Sequence, residues 1–101
     1  DHGLMLLEQN FRQKCGELDL VFQDGKAIVF VEVRYRSSNR WGDGLASVTK
    51  AKQRRLIRAA SSWLKRNAAY ARAPCRFDVV SVSGPESAPK LKWARNAFEA
   101  H

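Results

Sequence analysis

An α/β fold, with a mixed sheet flanked by helices, is the architecture this sequence predicts, and three patterns carry the prediction. Two runs rich in Val, Ile, Leu and Phe, Gly16 to Phe22 and Ala27 to Tyr35, are separated by Gln23-Asp24-Gly25-Lys26, and Asp-Gly between apolar runs is the strongest short hairpin signal. From about Val48 to Asn67 there is no Gly or Pro, and Leu56, Ile57, Ala60, Trp63 and Leu64 recur at helical spacing. Arg76 to Val82 then reads as a strand, which completes a βαβ unit with parallel strands and a right-handed crossover.

The remaining elements follow in order. Gly3 to Phe11, with Leu4, Leu6 and Leu7, reads as a further strand, making the sheet four- or five-stranded. Gly42 and Gly44 mark a loop before the helix, and Ser81 to Pro89 a second loop. Lys92 to Glu99, with Trp93, Ala97 and Phe98, reads as a closing helix. At 101 residues the chain has room for one domain with one modest core. It begins Asp1-His2-Gly3-Leu4-Met5, without an initiating Met or an export signal, so a trimmed chain is expected.

Composition narrows the function. The longest apolar stretches fall far short of the roughly 20 residues that span a bilayer, so no membrane span is expected. Cys15 and Cys75 have no metal-ligand spacing and read as free thiols in a reducing cytoplasm. His2 and His101 sit at the chain ends, and Ser61-Ser62 has no His nearby, so no nucleophile is indicated. Eighteen Lys and Arg against ten Asp and Glu give a net charge of +8. From Arg34 to Arg76 twelve basic residues face one acid, Asp43, a local +11. Phosphates neutralise such a surplus, which makes nucleic acid the expected partner. Arg36, Arg40, Lys50, Lys52, Arg54, Arg55 and Arg58 are the candidate contacts, with Tyr35, Trp41 and Tyr70 as aromatics that can stack on bases or belong to the core.

The carboxylates are concentrated elsewhere. A two-residue turn at Asp24-Gly25 sets Leu20 opposite Val29 and Glu17 opposite Glu32. Leu18, Leu20, Phe22, Ala27, Val29, Val31, Val33 and Tyr35 then share one face. Glu17, Asp19, Val21, Ile28, Phe30, Glu32 and Arg34 share the other. Opposed like charges destabilise a strand pair, so a cation belongs among Glu17, Asp19 and Glu32. Arg34 offsets one of them, and oxygen ligands on rigid strands suit Mg²⁺ or Mn²⁺. A solvated sheet edge with one Glu–Arg pair accounts for the same residues. Gln53 falls on the helix's inward stripe, where its amide can meet a carboxylate, a metal-bound water or a phosphate, or satisfy backbone groups.

Gly16-Glu17-Leu18-Asp19-Leu20, Phe30-Val31-Glu32-Val33-Arg34-Tyr35-Arg36, Val48-Thr49 through Lys52-Gln53-Arg54, and Arg76-Phe77-Asp78-Val79-Val80 occur in this order and spacing. The set closely resembles the YraN-like family of small bacterial proteins, relatives of Holliday-junction resolvases within the PD-(D/E)XK nuclease superfamily. The resemblance implies a restriction-endonuclease-like core and metal-dependent cleavage of DNA, branched or structured, in preference to RNA. It implies Asp19, Glu32 and the Val33 carbonyl as metal ligands, with Glu17 and Gln53 at further polar positions of the site. A homodimer is expected by analogy with resolvases. Two departures stand out: the family's N-terminal helix is missing from this chain, and Arg34 replaces the superfamily's lysine. Arginine cannot serve as a base, although it can stabilise a pentavalent phosphate. A nucleic-acid-binding protein with a degenerate nuclease site is therefore the alternative to a nuclease.

Overall fold

The computed structural model describes residues 3–35 and 48–99. Five nine-residue strands, β1 (Met5–Gln13), β2 (Gly16–Asp24), β3 (Ala27–Tyr35), β4 (Cys75–Ser83) and β5 (Lys90–Phe98), form one sheet in chain order. Between β3 and β4 run the helix α1 (Lys50–Arg66) and a short 3₁₀ turn at Ala68–Tyr70. β3 and β4 are parallel and every other neighbouring pair is antiparallel. The mixed α/β sheet and its βαβ crossover are those the sequence predicts.

Helix α1 starts where Thr49 caps it, the hydroxyl accepting the Lys52 N–H at 3.1 Å. Its end is closed by the Asn67 side chain, which donates to the Trp63 carbonyl at 2.8 Å, and Lys65 and Arg66 complement the negative end of its dipole. Leu56, Ala59, Ala60 and Trp63 are buried against Val21, Ile28, Phe30, Phe77 and Val79 of the sheet. Trp63 meets Phe30 edge-on at 5.9 Å, and its indole N–H donates to Glu8 at 2.7 Å, so the largest core residue leaves no polar atom unsatisfied.

The C-terminal segment departs from expectation. Lys92 to Glu99 is not a helix, because Lys90–Phe98 is strand β5. The physical reason lies in Asp78, a fully buried carboxylate on β4. Trp93 Nε1 donates to it at 2.8 Å and the Asn96 N–H at 2.9 Å, while Arg76 Nε lies 3.1 Å away and bridges to Asp24 at 3.0 Å. An extended β5 supplies two of these donors. Between the pairs Val79↔Ala94 and Phe77↔Phe98, β5 bulges, and Asn96 adopts a positive φ of 51° there, which brings its N–H to Asp78. Among the described residues the sheet thus has one α-helix, on one face. The opposite face carries a smaller cluster of Val29, Val31 and Val80 with Leu20, Phe22, Val33, Val82 and Trp93 around it.

The hairpin register also differs. Asp24 pairs with Ala27, and the turn residues are Gly25 and Lys26. Gly25 takes φ +61°, the residue that a turn with its positive φ at the first central position demands, while Asp24 stays in the strand, bound to Arg76. A shift of two residues preserves which side chains share a face but changes who stands opposite whom. Leu18 is a separate exception, packing on the helix side with Phe11 while Leu20 packs on the other. The pairs Gln9↔Leu20 and Phe11↔Leu18 bracket Asn10, whose φ of 55° breaks the alternation of β1 at that level.

Replacing Asp78 with Ala strands the Trp93 indole N–H and the Asn96 N–H and leaves Arg76 with only Asp24 among the described residues. We expect a loss of about 3–5 kcal/mol in unfolding free energy by urea titration, the scale for removing one partner of a buried ion pair. A loss below about 1 kcal/mol contradicts the role assigned to this network.

Candidate active site

The site opens where the β2–β3 ladder stops. The last pair toward this end is Leu20↔Val31; one step further, the same register sets Asp19, not Glu17, opposite Glu32. There the Asp19 carboxylate accepts the Val33 backbone N–H at 2.8 Å, so a side chain satisfies a group that a continuing ladder would have paired. Glu17 instead stands opposite Arg12 of β1 at the cleft's edge and forms an exposed ion pair with it at 3.2 Å. The expected Glu17–Glu32 opposition is therefore replaced by an Asp19–Glu32 pair.

A cleft of about 640 Å³ lies over this pair, lined by Glu17, Asp19, Glu32, Val33 and Arg34 from β2 and β3. Lys52, Arg55 and Leu56 of α1 form a second wall, and Arg12 to Gly16, around the β1–β2 turn, a third. Gly16 makes the last contact feasible, because a Cβ there would stand 2.7 Å from the Arg55 carbonyl oxygen. Any side chain would push the hairpin away from α1.

Glu32 is nearly enclosed, its side chain 8% exposed, and its Oε2 receives Lys52 Nζ at 2.9 Å and Arg34 Nη1 at 3.2 Å. Asp19 has no cation paired with it among the described residues. Burial pushes its carboxyl above the ordinary value of 3.8, and the neighbouring acids Glu32 and Glu17 add to the rise while the Val33 N–H opposes it. Two neighbouring acids with one cation-free member gain from a positive charge between them.

Among the described residues no three acidic, His or Cys side chains gather as a metal-binding group, so Glu17 does not complete a ligand triad. The donor set for a hard divalent cation is then Asp19, Glu32 and the Val33 main chain. Such a set suits Mg²⁺ or Mn²⁺, which need only one or two carboxylates and take water and phosphate oxygens for the rest.

Gln53 is not brought to this cleft. Its amide donates to the Val48 carbonyl at 3.1 Å, and it lines a separate hollow of about 120 Å³ with Val48, Val79, Ala94, Ala97 and Phe98. Gln53 thus satisfies a backbone group, the second of the roles open to it, and it is Lys52 that stands beside Glu32. Of the other helix cations, Arg55 lines the cleft, while Lys50, Arg54 and Arg58 are exposed beyond it. Arg36, Arg40 and Trp41 lie outside the described residues. Tyr70 stacks on Trp63 at 5.7 Å and belongs to the core side, whereas Tyr35 is exposed. Arg12 and Lys14 were not among the sequence candidates; the signal for them was the tight Lys14-Cys15 connection between two strands.

The raised carboxyl at Asp19 has a stability consequence. Its contribution is fully present below the unfolded value of 3.8 and is lost as pH rises through the higher folded value. Asp19→Asn keeps an acceptor for Val33, gives Glu32 a donor and does not titrate. In chelator, the variant should therefore gain on the wild type as pH rises, by up to about 1 kcal/mol at neutrality, the scale of opposed like charges, or about 4–8 °C in Tm. Calorimetric melts from about pH 3 to pH 7 check this; a variant less stable than wild type at neutral pH contradicts it.

The geometry can be set beside known proteins. The family model described as "Uncharacterised protein family UPF0102" matches residues 1–82. A UPF0102 protein of Stutzerimonas stutzeri (strain A1501) is 52% identical over 100 residues, covering 99% of this chain and 83% of that protein. One from Alkalilimnicola ehrlichii is 53% identical over 98 residues, covering 97% of this chain and 75% of that protein. One from Janthinobacterium sp. (strain Marseille) is 52% identical over 98 residues with the same coverages. The Asp19–Glu32 cleft thus sits in a chain that belongs to the UPF0102, or YraN, family.

Proposed function

We propose that this protein is a metal-dependent phosphodiesterase acting on DNA. The observation that carries the reading is the Asp19–Glu32 pair, held half-buried in a cleft whose rim is basic, on a protein of net charge +8. Acidic groups enclosed by Arg12, Lys14, Arg34, Lys52 and Arg55 form a place where an anionic backbone and a divalent cation both find partners. Asp19, Glu32 and the Val33 carbonyl would hold Mg²⁺ or Mn²⁺, and such an ion when bound activates water and neutralises phosphate charge.

The chain's own groups divide the remaining work. Arg34 stays charged at any working pH and stabilises negative charge that develops on a phosphate. Asp19, fixed by Val33, keeps its carboxylate in place without a rotamer search. Arg12, Lys14 and Arg55 grip flanking phosphates, with Lys50, Arg54 and Arg58 extending the positive surface along α1. Branched or structured DNA is the substrate we favour from the likeness to junction resolvases, with a dimer as the form that meets its two symmetry-related strands.

A second reading is favoured by two contacts. Lys52 and Arg34 both neutralise Glu32, and a carboxylate so paired has internal counter-ions of its own. A nucleic-acid-binding protein that no longer turns over fits this equally well.

Single-stranded, duplex, flap and four-way-junction DNA incubated with Mg²⁺ or Mn²⁺ distinguishes the two. A nuclease cleaves at least one of them, loses that activity to background with Asp19→Ala, and falls by roughly 10²–10³ with Arg34→Ala, the scale of one aimed transition-state group. Binding without cleavage of any substrate leaves the second reading. In either case, changing Lys50, Arg54, Arg55 and Arg58 to Gln should flatten the slope of log affinity against log salt by about 0.9 for each duplex phosphate released. An unchanged slope moves the interface off α1.

A further inference from the structure

We infer that Lys52 is a movable counter-ion: it holds Glu32 when no metal is present and passes to a substrate phosphate when one binds, so that metal and nucleic acid bind cooperatively. The inference rests on the metal-dependent reading above and deepens it.

The contacts of Glu32 are lopsided. Lys52 Nζ and Arg34 Nη1 approach the same oxygen, at 2.9 and 3.2 Å, while Asp19 beside it has no cationic partner among the described residues. One oxygen thus carries two positive charges, and a divalent cation on Glu32 would add more. The charge that leaves is the one freest to swing away, even though Lys52 makes the shorter contact. Arg34 has interactions beyond Glu32, and its guanidinium is a planar, pre-organised fork. Lys52 presents a point charge with three rotatable donors on a flexible stem. Its side chain is 31% exposed and lines the open cleft.

The root of that stem does not move. The Lys52 N–H is bound by the Thr49 cap at 3.1 Å, and the next residue's N–H reaches the Thr49 carbonyl at 2.8 Å. The ammonium can therefore swing within the cleft while its Cα stays fixed at the first turn of α1. Lys52 opposes metal binding in the free protein, and once displaced it becomes one more cation for a phosphate. By linkage, nucleic acid must then raise metal affinity by the same factor that metal raises nucleic-acid affinity.

Two measurements on the full chain test this. The first is calorimetric titration with Mn²⁺ alone of wild type, Lys52→Gln and Lys65→Gln. Lys65 is an exposed lysine of the last helical turn, and its variant removes the same charge without touching Glu32. Lys52→Gln should bind Mn²⁺ about tenfold more tightly than wild type, a single counter-ion's effect in the range typical of coupled sites, and Lys65→Gln should match wild type within about twofold. The second is DNA affinity with and without Ca²⁺, chosen to bind without supporting cleavage. Wild type should gain about fivefold or more with Ca²⁺, and Lys52→Gln should lose that gain. Circular dichroism confirms that the variants are folded. Equal Mn²⁺ affinity in wild type and Lys52→Gln, tightening by both lysine variants alike, or a Ca²⁺ gain that survives Lys52→Gln overturns the inference. If wild type cleaves DNA in any of these cases, the metal-dependent reading still stands. A wild type and a Lys52→Gln variant that both fail to bind Mn²⁺ sink that reading and this inference together.

Discussion

A carboxylate takes over from the ladder where β2 and β3 part. Asp19 accepts the Val33 N–H, and this bond does two things that a backbone pair could not. It ends the pairing of the two strands without leaving a donor unsatisfied, so that the edge beyond can open into a cleft. It also holds a charged group next to Glu32, against the mutual repulsion of two acids. Everything chemical about the site depends on that substitution. Without it, Asp19 would be one more strand residue free to turn toward water.

A second buried carboxylate in the same sheet shows what sets Asp19 apart. Asp78 is the more deeply buried, yet it is fully occupied: an indole, a backbone N–H and a guanidinium surround both oxygens. Its electrostatics are closed within the protein, and its work is to tie β5 to β4 and, through Arg76, to the end of β2. Asp19 has one backbone donor and an acidic neighbour. A carboxylate left with that imbalance gains from an incoming cation, whereas a satisfied one does not. The difference between a structural and a chemical acid here lies in their partners, not in burial.

The charge pattern acts over a longer range. A net +8 surface would by itself bind phosphates anywhere. The acidic pair at the cleft floor makes one location distinct, because there two carboxylates lie among Arg12, Lys14, Arg34, Lys52 and Arg55. Arg12 and Lys14 come to this rim only because Gly16 lets the hairpin lie against the Arg55 backbone. The placement of these cations at the cleft thus depends on an achiral residue.

Much of this was legible in the chain. Asp-Gly between apolar runs, the apolar stripe of α1 and the run of Val and Phe around Asp78 predict a mixed α/β sheet with its helix, because local periodicity reports which residues face a core. The face shared by Asp19, Glu32 and Arg34 survived a two-residue error in register, since strand alternation has period two. Three matters were decided by tertiary structure. Which acid opposes Glu32 depended on whether Asp24 lies in the turn or the strand, and its bond to Arg76, fifty-two residues away, keeps it in the strand. Lys92–Glu99 carries a pattern compatible with a helix, but the buried Asp78 requires donors that only an extended β5 delivers. Lys52 and Gln53 are neighbours whose helical angles differ by about 100°, and whether an ammonium or an amide meets Glu32 is set by the rotation of α1 on the sheet. Periodicity determines a helix's faces, but only the packing of Leu56, Ala60 and Trp63 against the strands determines where those faces point.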